Sequence, residues 1–291
     1  MNHSLRRMLQ RLKTLRPVRL RSAFWSWEAE AGFSLSDQDL EATLVRHEGP
    51  PLLFGKFPIP QLMHELESAG ILERIRQRGY TTLRPEAGAP TAFEDRFRLW
   101  ADHPKAEHPC LLIDVRTQIG EVEPSCPCCR EQLRFRALIW DWISFQDPVA
   151  SFAPGREALP GQEHPGLGVF REATRLMLGY VHQMDVEAVV AVPEYFHNAV
   201  LYSALFHFYD GRREGRFQAW KRDLLPAGLA RASHALAAGQ VLPIDDPNAE
   251  PVSWSPAEQV YALADRVAEH FEHPDYLRKV ATASCLDYVL L

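Results

Sequence analysis

The segment 135–209 carries the pattern that most restricts the fold of this chain. Alternating apolar and polar residues over 133–145 predict a strand, and the apolar, β-branched run 186–192 predicts a second strand buried inside a sheet. Between the two, hydrophobic residues at helical spacing predict a helix over 169–181. We therefore expect 186–192 to pair in parallel with the strand that ends near Phe145, and the two strands to separate beyond Phe145.

A glycine-rich turn over 160–168 opens directly into this helix. Small residues at a helix N-terminus leave several backbone N–H groups unpaired and pointing the same way, with the positive end of the helix dipole behind them. Such a turn binds phosphate in many proteins, but glycine-rich turns also arise for purely geometric reasons. The turn is a candidate anion site on this evidence.

The other elements follow from periodicity and from turn residues. In chain order, the sequence predicts a strand over 52–57, two short helices over 60–79, strands over 95–100 and 110–119, a helix capped by Asn198, a helix over 217–225, a hairpin over 240–254 and a C-terminal helix through Val260 and Phe271. The fold class is therefore α+β, with a mixed sheet that has helices on both faces. We expect an N-terminal arm and linker over 1–50, a central domain over 51–254 and a C-terminal helical extension over 255–291.

Composition restricts the function classes. The net charge of -6 and the pI near 6.1 argue against a nucleic-acid partner. No apolar run approaches the roughly 18 residues that a membrane span needs. The five cysteines do not form the evenly spaced framework of a secreted disulfide scaffold. We expect a cytoplasmic protein.

The first 21 residues differ from the remainder of the chain. Every charged residue in 1–21 is basic, and Leu5, Leu9 and Leu12 recur at helical spacing, which predicts a basic amphipathic helix. Such a helix docks on a membrane surface, docks on a protein partner or serves as an organelle presequence. The alternative is a helix that packs on its own domain and exposes its basic face to solvent.

With this order of elements, the chain resembles the GNAT acyltransferase superfamily over roughly 52–254. The most specific part of the resemblance is Gly166-Leu167-Gly168 with the helix after it, then the strand 186–192, then Asn198 and Tyr202. It implies an acyl-CoA cofactor whose pyrophosphate lies in the glycine-rich turn. The implied cofactor-binding residues are Gln162, Gly166, Leu167, Gly168 and Asn198. Glu163 stands where the family usually has Arg or Gln, and Pro165 offers no N–H donor.

The resemblance also implies a function, an acyl-CoA-dependent N-acyltransferase that acts on a small-molecule or peptide amine. Acyl transfer from a thioester needs a base for the amine and an acid for the leaving thiolate. Tyr202 is the candidate acid, and Asp141 and Glu194 are candidate bases, because partial burial raises the pKa of a carboxyl group. A core position for Tyr202 and a solvent-facing position for Asp141 are the alternatives. The alternative function is a non-catalytic GNAT-fold binding or interaction protein.

Three crowded cysteines suggest a metal site as a further possibility. Cys126 and Cys129 have the two-residue spacing of a zinc knuckle, but a second pair is missing from the sequence. Cys110 with His103 or His108 is a candidate to complete the ligand set, and otherwise these thiols lie idle at a hairpin tip. A second group that flanks the turn consists of His164, His182, His197 and His207 with Glu163 and Glu194; it lacks the paired spacing of H-E-x-x-H.

Overall fold

A computed structural model describes residues 52–91, 94–123, 133–244 and 250–291 of the chain. Its helices are α1 (Ile59–Ser68), α2 (Ile71–Arg76), α3 (Phe170–Val181), α4 (Phe196–Tyr202), α5 (Gly211–Leu224), α6 (Leu229–Ala237), α7 (Asp265–Glu272) and α8 (Pro274–Ser284). Its strands are β1 (Leu52–Leu53), β2 (Phe57–Pro58), β3 (Thr81–Thr91), β4 (Glu94–Asp102), β5 (Cys110–Val122), β6 (Phe135–Phe145), β7 (Ala188–Ala191), β8 (His207–Phe208), β9 (Val241–Pro243), β10 (Gln259–Ala262) and β11 (Tyr288–Leu290). The fold is a mixture of α-helices and a large mixed sheet.

Seven strands form the main sheet, in the order β3-β4-β5-β6-β7-β10-β8. Neighbours are antiparallel except for β6 and β7, which pair in parallel from Ala137 opposite Ala188 to Trp140 opposite Ala191. The predicted parallel pairing is confirmed. The predicted point of separation is wrong, because β7 ends at Ala191, so the strands diverge after Trp140 while β6 continues to Phe145 beside β5.

A β-bulge lies at this point of divergence. On β5, Arg116 faces Trp142 and the next residue, Thr117, faces Trp140, so Asp141 is one extra residue in β6. A bulge bends its strand and re-aims the side chains that follow. Trp140 is accordingly buried at 4% exposure, whereas Trp142 is 44% exposed.

Helices cover both faces of the sheet around the parallel pair. On one face, α3 packs through Leu178 and Val181 against Leu138 and Val189. On the other face, α7 and α8 contribute to a cluster with alternate strand residues; this cluster includes Ala137, Val190, Val260, Val267, Phe271 and Tyr276. The alternation follows from the two-residue period of a strand, and it agrees with the predicted helices on both faces.

Two sequence predictions about elements were wrong. The run 52–57 is a tight hairpin rather than one strand, because Phe54 and Gly55 take positive φ and turn the chain back. Val260 belongs to β10, a strand between β7 and β8, and the C-terminal helix begins only at Asp265. The sheet therefore continues past residue 254.

The strands β3, β8 and β11 were missed, and some predictions lie beyond what the structure describes. β3 forms the edge of the sheet although Pro85 and Gly88 interrupt its pattern; an edge strand tolerates proline because one side needs no hydrogen bonds. The arm 1–50 and the cysteines over 126–129 lie outside the described residues. Within the described ranges, no helix combines the length and the apolar character needed to cross a bilayer.

Candidate functional site

A cleft of about 660 Å³ opens where β6 and β7 diverge. Its walls come from the end of β6, the chain after β7, helix α4 and the glycine-rich turn. Seven predicted site residues line it, namely Asp141, Gln162, Gly166, Gly168, Glu194, Asn198 and Tyr202. The fold thus gathers residues that are up to 61 positions apart in sequence.

Asp141, the bulged residue of β6, projects into this cleft. Partial removal of the carboxyl group from water raises the pKa of Asp141 to about 6, although part of the side chain stays exposed to solvent. A hydrogen bond with Gln118 lowers the pKa and offsets part of this rise. Glu94 raises the pKa further, and Arg116 lowers it. A carboxylate with this pKa is ionised at neutral pH and accepts a proton more readily than an ordinary Asp.

Tyr202 ends helix α4 at the inner part of the cleft. Its ring stacks on Phe170 at 5.7 Å between centroids and contacts Trp140 at 5.8 Å and Phe206 at 5.9 Å. Burial raises the pKa of Tyr202 to about 12, so the phenol keeps its proton at neutral pH. Among the described residues, its hydroxyl has no hydrogen-bond partner. The ring packing therefore fixes the position of a protonated phenol, whose O–H remains available to donate to a ligand.

Asn198 lies one helical turn before Tyr202 on α4 and lines the same cleft. Its Oδ1 atom is buried and lacks a hydrogen-bond partner within the described part of the chain. Asn198 does not cap the helix as predicted, since α4 begins two residues earlier, at Phe196. A buried amide oxygen without a partner costs free energy, which a donor on a bound ligand would recover.

Glu194 follows β7 and is exposed at the rim of the cleft. It accepts a hydrogen bond from Tyr195, whose pKa is raised by burial and by this carboxylate. The Tyr195 ring also packs on Gly161; a Cβ at that glycine would lie 2.6 Å from the ring. Gly161 is therefore required for close approach between the turn and the chain after β7.

The glycine-rich turn is fixed by hydrogen bonds to its backbone. The Leu167 N–H donates to the Phe145 carbonyl at 3.1 Å, and the Asp147 N–H donates to the Pro165 carbonyl at 2.7 Å. On its far side, Arg74 donates to the Gly168 carbonyl at 2.7 Å and Arg78 donates to the Leu167 carbonyl at 3.0 Å. The carbonyls of the turn thus face two arginines.

Two predicted cofactor-binding residues take internal roles in this geometry. Leu167 is buried at 1% exposure, and its N–H is already bonded to Phe145, so that amide is not available to a phosphate. The Gln162 side-chain oxygen accepts from the Leu159 N–H at 3.1 Å, which closes the turn on itself. The available donors are instead at the start of α3, where Val169 is the N-cap residue without a side-chain cap.

A loop over 146–165 forms the outer wall of the cleft, and a buried carboxylate anchors it. Asp147 accepts from Arg78 and from the Tyr80 hydroxyl, both at 2.6 Å. Burial would raise the pKa of Asp147, but these two hydrogen bonds outweigh burial and lower it. At the other end of the loop, His234 bonds to the Ala158 carbonyl at 2.8 Å. The long connection is thus an ordered wall.

Sequence reasoning missed the aromatic lining and the anchor of the wall. Trp142, Phe170 and Tyr195 line the cleft, and Asp147 holds its loop. Asp141 within the Trp140-Asp141-Trp142 triplet was the available signal, since Asp is depleted in strands. No comparable signal marked Asp147, whose partners precede it by 67 and 69 positions.

The described residues do not assemble a metal site. They contain no group of three or more His, Cys, Asp or Glu side chains able to hold an ion. The histidines near the turn have separate partners: His197 bonds to Ser233 at 3.0 Å, His207 approaches Glu214 at 3.6 Å, and His182 lies beside Tyr261. Cys110 is buried, and Cys126 and Cys129 lie outside the described ranges, so the zinc prediction for them stays a prediction.

No family model matches this chain, and no curated protein or solved structure gives a significant match to it.

Proposed function

We propose that this chain is an acyl-CoA-dependent N-acyltransferase of GNAT type. The observation that supports the proposal best is the separation of β6 and β7 after Trp140 and Ala191. This opening lies between the uncapped start of α3 on one side and Tyr202 of α4 on the other. A thioester with a phosphate-bearing tail matches this arrangement, because it needs an anion site and a proton donor joined by a narrow slot.

The slot suits an extended ligand with amide groups. Beyond Trp140, the edge of β6 that faced β7 has no neighbouring strand from the described part of the chain as far as Ser144. Its backbone groups can pair with the amides of an extended ligand in the way that an added strand pairs with a sheet edge. The acyl end of such a ligand then lies beside the bulge, and its phosphates reach the first N–H groups of α3.

The chemistry assigned to the side chains follows from their protonation states. An ammonium acceptor transfers a proton to the Asp141 carboxylate, and the free amine attacks the thioester carbonyl carbon. The carbon–sulfur bond breaks as Tyr202 protonates the leaving thiolate, and the nitrogen of the new amide returns a proton to the tyrosinate. Glu194, exposed at the rim, is the second candidate base. The products are an amide, a free thiol and one released proton.

A non-catalytic binding protein is the second candidate, and specific observations favour it. The Leu167 amide is taken by Phe145, Pro165 has no N–H, and Glu163 lines the cleft. These features weaken a pyrophosphate site by removing donors and adding negative charge. In that case the cleft binds an amine or a peptide without turnover.

Two measurements test the proposal. Thermal-shift titration with CoA and acetyl-CoA reports on binding, and release of free thiol from acetyl-CoA in the presence of an amine panel reports on turnover. We expect a ligand-dependent increase in melting temperature and amine-dependent thiol release. Binding without thiol release would favour the non-catalytic alternative, and no shift at millimolar CoA would remove the cofactor from the proposal.

A further inference from the structure

The cleft carries negative charge without a basic side chain in its lining. Its described lining contains four carboxylates and no Lys or Arg. One of these, Asp114, is neutralised by Arg96 through two contacts at 2.7 and 2.8 Å. For Asp141, Glu163 and Glu194, no cation within 4 Å is found in the described part of the chain. Arg116 acts on Asp141 only at longer range and lies 3.9 Å from Glu94.

The same cleft holds polar groups that lack partners. The side-chain oxygen of Asn198, in the lining, is buried and has no hydrogen-bond partner among the described residues. The indole N–H of Trp140, a residue with 4% exposure, is also without a partner there. Burying such groups is unfavourable unless a ligand satisfies them. These unpartnered groups are a second observation, separate from the carboxylates, that indicates a ligand in the cleft.

Aromatic rings also line the cleft beside the carboxylates. Trp142 is 44% exposed, and it and Tyr195 line the cleft that the three unpaired carboxylates share. The exposed Trp142 indole attracts ammonium groups through its quadrupole, whereas the Tyr195 ring is stacked on His197. The titratable groups facing this region besides the carboxylates are His164, His197, Tyr195 and Tyr202. Burial lowers the pKa of His197 to about 4, so it is neutral near pH 7.

We infer that the acceptor bound by this cleft is a diamine or polyamine with at least two positive charges, one at the amine that reacts and one that stays charged. This inference rests on the proposed acyl transfer. Asp141 lies at the strand divergence with Tyr202 and takes a proton from the reacting ammonium. Glu163 and Glu194, on the loop and after β7, hold the second ammonium. One amine loses a proton and forms the amide, and the distal ammonium keeps its proton throughout.

Probes of equal length and different charge test the inference directly. Butylamine, 1,4-diaminobutane and 4-aminobutyrate carry one, two and zero net positive charges at neutral pH. Calorimetric titration of the full chain, with and without CoA, measures their affinities independently of chemistry. We expect 1,4-diaminobutane to bind at least about tenfold more tightly than butylamine, as for one added charged contact, and 4-aminobutyrate to bind most weakly.

The double variant Glu163→Gln with Glu194→Gln should remove this tenfold advantage, so that 1,4-diaminobutane binds no more tightly than butylamine. Both residues are exposed, so the variant is expected to fold. Glu269→Gln, an exposed glutamate on α7, is the matched control and should keep the preference. Equal affinity for the mono- and diamine, or failure of every amine to bind, overturns the inference. Diamine binding without acetyl-CoA turnover instead refutes the proposed function and leaves the cation site standing.

Discussion

Trp140 faces Ala191 at the last paired position of the two parallel strands, and one residue further along β6 the bulge places Asp141 in the opening. The same two features that end the pairing therefore create the cleft and place a carboxylate in it. The early end of β7 leaves the gap between the strands, and the extra residue in β6 bends that strand. The end of β7 and the bulge in β6 together define the cleft.

Substitution of Gly168 by Val should weaken acyl-CoA binding more than it weakens the fold. Gly168 has φ of +70, where a β-branched residue is strained, and it lies immediately before the uncapped start of α3. We expect a loss of about 1–3 kcal/mol in the free energy of unfolding from strain. Acyl-CoA affinity should fall about ten- to a hundredfold as N–H contacts to phosphate are lost.

Gly239 provides the matched control, with φ of +65 and, as at Gly168, a single neighbouring atom 3.9 Å from an added Cβ. Gly239→Val should be strained to a similar extent and bind acyl-CoA as wild type does. Urea unfolding and calorimetric titration separate the two effects. Equal loss of affinity in both variants would show that the turn has no specific part in binding.

Tyr202→Phe should reduce turnover without destabilising the protein. The hydroxyl has no hydrogen bond among the described residues, and the ring keeps its contacts with Phe170 and Trp140. Loss of a general acid typically lowers kcat by about 10²–10⁴-fold. Steady-state thiol release measures this loss, and acyl-CoA affinity should stay within about twofold because the ring is retained.

Tyr276→Phe is the counterpart, since the Tyr276 hydroxyl donates to the Phe208 carbonyl at 2.9 Å in the core. That variant should lose about 1 kcal/mol of unfolding free energy and keep its turnover. If Tyr202→Phe lost stability and kept turnover, the phenol would be a core group and the acid would lie elsewhere.

The raised pKa of Asp141 gives stability a specific pH dependence. An acid whose folded pKa is raised binds its proton more tightly in the folded state, so its ionisation opposes folding. Its contribution declines as pH rises from the unfolded value, about 3.9, to the folded value of about 6. The variant Asp141→Asn should therefore gain stability relative to wild type over this window, by on the order of 1 kcal/mol, because solvent in the cleft screens the full effect.

Urea unfolding of wild type and Asp141→Asn at pH 4 and pH 7 measures that difference. Asp95, whose pKa burial also raises to about 6, gives Asp95→Asn as a control with a similar stability profile. The pH dependence of the turnover rate distinguishes the two variants. The wild-type rate should rise through pH 6, and only Asp141→Asn should lose this rise. A rate profile unchanged in Asp141→Asn would assign the base to another residue, with Glu194 next.

Asp147→Ala should loosen the outer wall of the cleft. The carboxylate is 4% exposed and accepts from Arg78, from Tyr80 and from the Ala150 N–H. Removing a buried charge partner typically costs about 2–4 kcal/mol. Hydrogen exchange should quicken over 146–165, while protection in β6 stays unchanged. Uniform acceleration across the chain would mean that Asp147 supports the whole domain rather than its loop.

The sequence was sufficient for elements with a long, unambiguous period and insufficient for short ones. The helix at 170–181 and the strand at 188–191 follow from residues such as Leu178 and Val190, whose burial repeats at the expected spacing. The four residues of β10 are too few to distinguish a strand from the first turn of a helix, so Val260 was assigned to the helix after it. Only the neighbouring strands β7 and β8 decide its conformation.

The site was predictable in part for a related reason. Tyr202, Asn198 and Asp141 meet in one cleft because the order of strands and helices brings their segments together, and that order is visible in the sequence. Leu167 was assigned from its position in the turn, but whether its amide is free depends on Phe145, 22 residues away. Hydrogen bonds between distant backbone groups leave no local mark in a sequence.

The extra residue in β6 also explains why two indoles two positions apart lie on opposite sides of the sheet. In a regular strand, side chains two positions apart share a face, yet Trp140 is buried beside α3 and Trp142 stands in the open. Removing Asp141 would leave Trp140 opposite Thr117 and Trp142 opposite Arg116, as they are now, but as consecutive residues of a regular strand that point to opposite faces. A single-residue deletion at this position would therefore stay in frame in three dimensions: Ile143 and Phe145 would keep their side of the sheet, and the cleft would lose a carboxylate.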